Sequence, residues 1–294
     1  MTRYQLGKLP PKRDARTLRF ASYLRPEALP PLPAASDHYS LVPSFPMDGN
    51  DQWGDCVLAA AEHQIRGWST YAGSPKAIAA TEVVSLYHAL SPADTGLVIL
   101  DTLNRWRSQG LWGDRIEAYT AVDVGHLEQT KYAIRLFGHA HLGMSLPNTN
   151  TFGPWTTVTG PPNPYNGHDV ILVGYDDARQ MFKVVTWGEV WDMSYAWFQQ
   201  YTDECYAILS RDWLNAAGLS PEGFDWAALM ADLSAITGAP PPAPPPPPPA
   251  PPPAPPPAPP KPGCLSLILP KGWIWGKFKH HGDVVQLHVI PDHG

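Results

Sequence analysis

Apolar positions recur every three or four residues from Cys56 to Gly138, and from there to Trp187 they fall into short alternating runs. The first pattern predicts helices and the second predicts strands. "CVLAAAEHQIRGWSTYAG" puts Val57, Leu58, Ala61, Ile65 and Trp68 on one helical face, with Gly73 as its stop. "ATEVVSLYHAL" and "LVILDTLNRWRSQG" read as two further helices, and "LEQTKYAIRLFG" as a fourth. "HAHLGMSLP" alternates as a strand, and "HDVILVGY" and "MFKVVTW" read as strands joined by the polar turn "DDARQ". "PEGFDWAALMADLSAIT", with Pro221 early in it, predicts a closing helix. Helices first and strands second imply an α+β protein of two lobes.

Outside this body the pattern breaks. Residues 1–36 are rich in Pro, Arg and Leu; "DARTLRFASYL" reads as a short helix, and the rest as an extended segment wrapped over the body's surface. The body spans 37–238. Residues 239–262 form a proline run, "APPPAPPPPPPAPPPAPPPAPPKP", excluded from helix and sheet interiors because proline fixes φ and lacks an N–H. It reads as a polyproline II spacer of roughly 70 Å, or else as a ligand for a proline-reading protein partner. Residues 263–294 carry "LSLIL", "WIWGKF" and "VVQLHVI", short strands that imply a small β-rich C-terminal module. It would dock on the body, dimerise or bind a partner.

The totals narrow the function classes. The 294 residues include twelve tryptophans and carry a net charge of −6, so there is ample core and no basic footprint for nucleic acid. No apolar run reaches the ~20 residues that span a bilayer, and the charged, proline-broken start holds no secretory signal. Three cysteines, Cys56, Cys205 and Cys264, offer neither a disulfide framework nor zinc spacing. A reducing cytoplasmic compartment or a virion is the expected location, in a bacterial or phage setting. No P-loop, dinucleotide fingerprint or HExxH is present, and "GMSLP" is no nucleophile elbow, so no cofactor and no metal is expected. Tandem His280-His281 reads as surface histidine.

One cysteine is placed for chemistry. Cys56 opens the first helix, where the positive helix end favours a thiolate. Asp55 stands at the N-cap position, and its charge opposes that effect. The candidate base is His168 in "YNGHDVILVGYDD", opening a strand after a Gly-containing turn. His63 lies two turns further along the helix, too far for the task, and His139 and His141 flank a strand start as surface residues. The plain alternative for Cys56 is a small buried hydrophobe, a common fate of free cysteine. Cys205 reads as structural, and Asp176-Asp177 as solvated turn carboxylates.

The order of these pieces resembles the papain-like cysteine peptidases over residues 37–212. "DHYSLVPSFPMDGNDQWGDCVLAAA" looks like that family's entry segment, which runs to a Gln…Cys motif; Asn50 fills the glutamine slot. "TGLVILDTLNRWRSQGLWG" is similar to the Gly-rich helix, and "LEQTKYAIRLFGHAHLGMSL" to the helix and strand that follow it. "GHDVILVGYDD" resembles the strand that carries the base, and "TWGEVW" keeps a Trp-Gly-x-x-Trp spacing in Trp187 and Trp191. The resemblance implies a two-lobed fold, a helical lobe plus an antiparallel β-sheet lobe. It implies Cys56 as nucleophile, His168 as base, and the Asn50 amide as oxyanion donor.

Two departures bear on activity. The family's histidine-orienting asparagine is Val185 here, which accepts no imidazole N–H. Its neighbour Thr186 reaches the histidine only where a bulge or local shift turns it inward, because side chains alternate along a strand. No long helical pro-region precedes the body. Three readings follow: a peptidase cleaving peptide or protein substrates through Cys56 and His168; an amide hydrolase of peptidoglycan type targeted by residues 263–294; and a catalytically silent fold used for binding or structure, as in a phage particle. An enzyme calls for an open groove, with the Cys56 sulfur within hydrogen-bond reach of a His168 nitrogen; a silent fold permits a groove filled by the N-terminal segment or the last strands.

Overall fold

The computed structural model describes residues 4–24, 31–215, 217–221, 273–281 and 284–291. The predicted helix beyond Pro221, "LSLIL", the proline run and Cys264 lie outside them. The chain divides into two units, residues 1–244 and 245–294. In the second, β8 (Trp273–His281) and β9 (Val284–Pro291) pair antiparallel as a two-stranded ladder, in the places where "WIWGKF" and "VVQLHVI" predict strands.

The first unit is α+β. Its helices are α1 (Cys56–Tyr71), α2 (Ala80–Leu90), α3 (Ile99–Ser108), α4 (Leu127–Phe137) and the short α5 (Tyr195–Tyr201). Its strands are β1 (Ala35–Asp37), β2 (Ala118–Ala121), β3 (Ala140–Ser145), β4 (Gly167–Asp176), β5 (Met181–Thr186), β6 (Glu189–Ser194) and β7 (Thr202–Leu209). The sheet runs β2-β7-β3-β4-β5-β6, with β1 added to β4, and every pairing is antiparallel. The expected helix at 14–24 shrinks to one 3-10 turn, Phe20–Ser22. Among the described residues no helix is long and apolar enough to cross a membrane.

Strand alternation sorts the core onto two faces. Leu142, Met144, Val170, Leu172, Val184, Cys205 and Ala207 pack with α4 and α5 on one face. On the other, Ile171, Val173 and Val185 meet Ala60 of α1 together with Val42 and Phe45. A third cluster joins α1, α2 and α3 through Leu58, Ile65, Val83, Tyr87, Leu103 and Trp106. The helical lobe and the sheet lobe thus meet along α1, and the start of α1 lies beside the start of β4.

Candidate active site

α1 begins at Cys56, and its sulfur lies against the sheet. The backbones of Asp169 and of Gly7 both hydrogen-bond toward the thiolate form. Burial outweighs them: Cys56 is 1% exposed, and desolvation pushes its thiol well above the ordinary range, with the Asp169 charge adding to the rise. A helix N-terminus offers about 1 kcal/mol to an anion, whereas burying an ion costs several. The positional argument for a thiolate therefore loses in this conformation. Asp55 takes the N-cap position without a side-chain capping bond. Burial raises its carboxyl to about 8 against the opposing Asn50 side chain, and what charge it carries pushes the Cys56 thiol up further.

His168 opens β4, one residue before Asp169. Its Nε2 lies 2.9 Å from Thr186 Oγ1, and its ring stacks on Trp187 at 4.2 Å and 14°. Nδ1 is buried with no hydrogen-bond partner among the described residues, Cys56 Sγ included, so the thiol–imidazole bond expected of an enzyme is not made in this conformation. Burial holds the imidazole down at about 3, so it is neutral. Val185 does not face this histidine. It packs with Ile171, Val173 and Ala60 on the opposite face of the sheet.

The reason is the bulge that the sequence reading left open. Gly174 pairs with Lys183 and Leu172 pairs with Val184, so Val173 is an extra residue in β4. Were the pairing regular, Val185 would share the face of His168, Val170 and Leu172. The extra residue moves Thr186 there instead.

Asn50 is buried at the cleft, and its Nδ2 donates to the carbonyls of Trp53 (3.1 Å) and Gln5 (3.4 Å). Trp187 Nε1 donates to the same Gln5 carbonyl at 3.2 Å. Two N–H groups thus converge on one carbonyl oxygen. The Trp187 donor was missed in the sequence, where this residue read as core alone; its indole N–H was the available signal.

The groove itself is filled. Residues 4–9 do not wrap over the surface but run as an extended strap between the lobes. Gln5 N–H donates to Asn50 O (2.9 Å), Lys8 N–H to Gly167 O (3.1 Å), Leu97 N–H to Gly7 O (2.8 Å) and Leu9 N–H to Leu97 O (2.9 Å). Tyr4 stacks on Trp187 at 4.6 Å. The approach is so close that a Cβ on Gly7 would sit 1.8 Å from Gly54 O, and one on Gly167 would sit 1.9 Å from Lys8 O. The strap accordingly covers both Cys56 and His168.

The remaining histidines correct a second expectation. His139 and His141 are buried, not superficial. His139 lies between Trp68 and Trp213 and is held at about 3 by burial, with the nearby His38 adding to the fall. His141 bridges Gln64 Oε1 (2.9 Å) and Asp169 Oδ2 (2.8 Å). Nor is Asp177 a free turn carboxylate, since it binds Lys131 and Tyr195. Cys205 is buried in the sheet core.

Asp48, Glu62 and His63 form the one group of described residues with ligand atoms close enough to share a metal ion, within 4.8 Å. Their bonding points elsewhere. Arg66 holds both oxygens of Glu62, and His63 Nε2 donates its proton to the Pro46 carbonyl at 2.7 Å, which leaves that nitrogen no lone pair for a metal. Burial and the Glu62 charge raise the Asp48 carboxyl, consistent with a proton held between the two acids.

No protein-family model and no curated protein sequence matches the chain. Solved structures do. Xylellain, a cysteine protease from Xylella fastidiosa, superposes with a TM-score of 0.55 at 15% identity, over 71% of this chain and 98% of that one. Procathepsin L 3 of the Tenebrio molitor larval midgut follows at a TM-score of 0.48 and 14% identity, over 71% and 76%. The procathepsin B S9 of Trypanosoma congolense gives 0.47 and 15%, over 70% and 86%. The fold of the chain is that of the papain-like cysteine proteases, as its motif order implied.

Proposed function

We propose that this papain-like fold is a thiol hydrolase of peptide or amide bonds, held closed by its own N-terminal strap. The observation that carries the reading is His168. Its Nε2 is engaged by Thr186 while Nδ1 is left unpaired inside the protein, beside the strand backbone that touches Cys56. Burial keeps this imidazole unprotonated, so Nδ1 retains its lone pair. A general base needs that lone pair free.

In the proposed reaction the strap withdraws and a substrate carbonyl takes the place now held by the Gln5 carbonyl. Cys56 Sγ attacks the carbonyl carbon, and its proton passes to His168 Nδ1. Thr186 Oγ1 accepts the Nε2–H and steadies the imidazolium. Asn50 Nδ2 and the Cys56 backbone N–H, with Trp187 Nε1 beside them, stabilise the oxyanion. The amine leaves with the proton from His168, and water then hydrolyses the thioester with the imidazole as base.

A second reading is favoured by the burial of both groups, which holds the thiol and the imidazole neutral: a silent fold whose groove the strap permanently fills. Casein hydrolysis by a Lys8→Glu protein separates the two. The new carboxylate would face Asp203 and Glu204 and expel the strap. Turnover that is lost again on adding Cys56→Ser is expected. A Lys8→Glu protein whose strap is released, shown by protease clipping near residue 8, yet which turns over nothing, would leave only the silent fold.

A further inference from the structure

The strap does more than cover the cysteine. Its Lys8 side chain turns into the protein and is 1% exposed. The stem crosses Gly143 so closely that a Cβ there would lie 2.3 Å from Lys8 Cε. The ammonium ends 3.0 Å from Asp203 and 3.4 Å from Glu204. Asp169 is near enough for Lys8 to lower its carboxyl. Three carboxyl groups thus surround one cation.

These acids are arranged to receive a charge from outside the sheet. Glu204 is 8% exposed; Tyr206 satisfies its Oε2 at 2.9 Å, which leaves Oε1 to face the Lys8 ammonium at 3.4 Å, and Asp169 Oδ1 has no hydrogen-bond partner among the described residues. Ser145 orients Asp203 with a 2.6 Å bond. Burial raises Glu204, and the Lys8 charge is the largest influence opposing it. Without a cation the pocket is left with uncompensated acids, the costly half of a broken ion pair. The backbone that delivers Lys8 is bonded to Gly167 and flanked by Leu97, which are cleft walls and would be bared for any extended peptide.

We infer that this pocket is the specificity subsite of the cleft, and that it takes the lysine side chain of a peptide laid where the strap now lies. Lys8 is its internal occupant. The Gly143 contact allows an unbranched stem, and the acids around the tip require a positive charge. The peptide-cleaving role rests on the hydrolase reading above; the cation selectivity of the pocket does not.

The test has one arm for each. In a full-length Lys8→Gly protein, n-butylammonium supplies the missing four-carbon stem and charge. It is expected to raise the melting temperature of this variant by several degrees at millimolar concentration, leave the wild type unmoved, and lose its effect when Glu204→Gln is added. n-Butanol is expected to do nothing. Equal effects of butanol and butylammonium would overturn the inference. Should Lys8→Gly fail to fold, Lys8→Met retains the stem and removes only the charge; a melting temperature equal to or above wild type would then overturn it. The second arm compares peptides carrying lysine or norleucine, with at least a tenfold preference in kcat/KM for lysine expected. Cation binding without hydrolysis would refute the hydrolase and keep the pocket. Hydrolysis with neither lysine preference nor butylammonium stabilisation would do the reverse.

Discussion

Thr186 Oγ1 stands 2.9 Å from His168 Nε2 because β4 carries one more residue than β5 between them, at Val173. The substitution that sequence alignment invites is therefore the wrong one. Val185→Asn should not supply an orienting amide. It should bury that amide against Ala60, Ile171 and Val173, with no partner, at a cost of about 1–3 kcal/mol. Chemical denaturation is expected to show the loss. A Val185→Asn protein as stable as wild type and more active would refute the bulge assignment.

Removing the hydroxyl should act on the histidine. Thr186→Val leaves Nε2 unpaired, and in the strap-released protein kcat is expected to fall by roughly 10²-fold, within the range attributed to a positioned proton carrier. Thr186→Asn should retain activity, because an amide oxygen on the same face accepts the Nε2–H. A hydroxyl can donate as well as accept, so the native pair leaves the imidazole tautomer less firmly set than an amide would. The Thr186→Asn protein is accordingly expected to show a flatter pH–rate profile on its acid side. Profiles that coincide for the wild type and the Thr186→Asn protein would argue against a positioning role.

A single methyl group should open the groove. Gly7→Ala places a Cβ 1.8 Å from Gly54 O, and neither atom belongs to a flexible side chain. The strap must leave, so Cys56 alkylation by iodoacetamide should accelerate at least tenfold at pH 7. With water admitted, the burial that raises the thiol and lowers His168 is relieved. Adding His168→Ala should slow labelling again at neutral pH. Labelling as slow in Gly7→Ala as in wild type, by a protein whose strap is shown to be protease-accessible, would contradict the account of Cys56.

Stability should fall on the alkaline side. Asp55 is raised to about 8 and Asp48 is raised also, against about 3.9 in an unfolded chain. The folded state then holds protons that the unfolded state has released, so these groups contribute stability below about pH 4 and lose it as pH climbs toward 8. His168 and His139, held at about 3 against an ordinary 6.5, act oppositely: their contribution is present above 6.5 and lost as pH falls toward 3. The two effects offset each other between about pH 4 and 6.5, and above that the acids act alone. Denaturation midpoints should decline from pH 6.5 to 8, and Asp55→Asn should flatten the decline. A midpoint rising across that window would reject the neutral-acid assignment.

The sequence made the fold legible because both periodicities were strong. Cys56 at a helix start and His168 at a strand start follow from local pattern, and local pattern survives into the structure. Thr186 was undecidable because which face it occupies depends on a register slip at Val173, thirteen residues away, and nothing local to "KVVTW" marks a bulge in the neighbouring strand. His139 and His141 were misplaced for a related reason: alternation says which residues share a face, and both faces of this sheet are covered. The strap was invisible since its bonds are to Asn50, Leu97, Gly167 and Trp187, each remote in sequence.

The Lys8–Asp203 contact spans 195 residues. During synthesis Lys8 is made long before its acidic partners on β7, which are among the last of the body's strand residues. The strap can seat only when the sheet is complete, and contacts of such separation form late because their loop must close first. Seating is therefore a checkpoint on assembly: a ribosome-bound or truncated chain that ends before β7 has no anchor for Lys8, and its cleft stays unsealed.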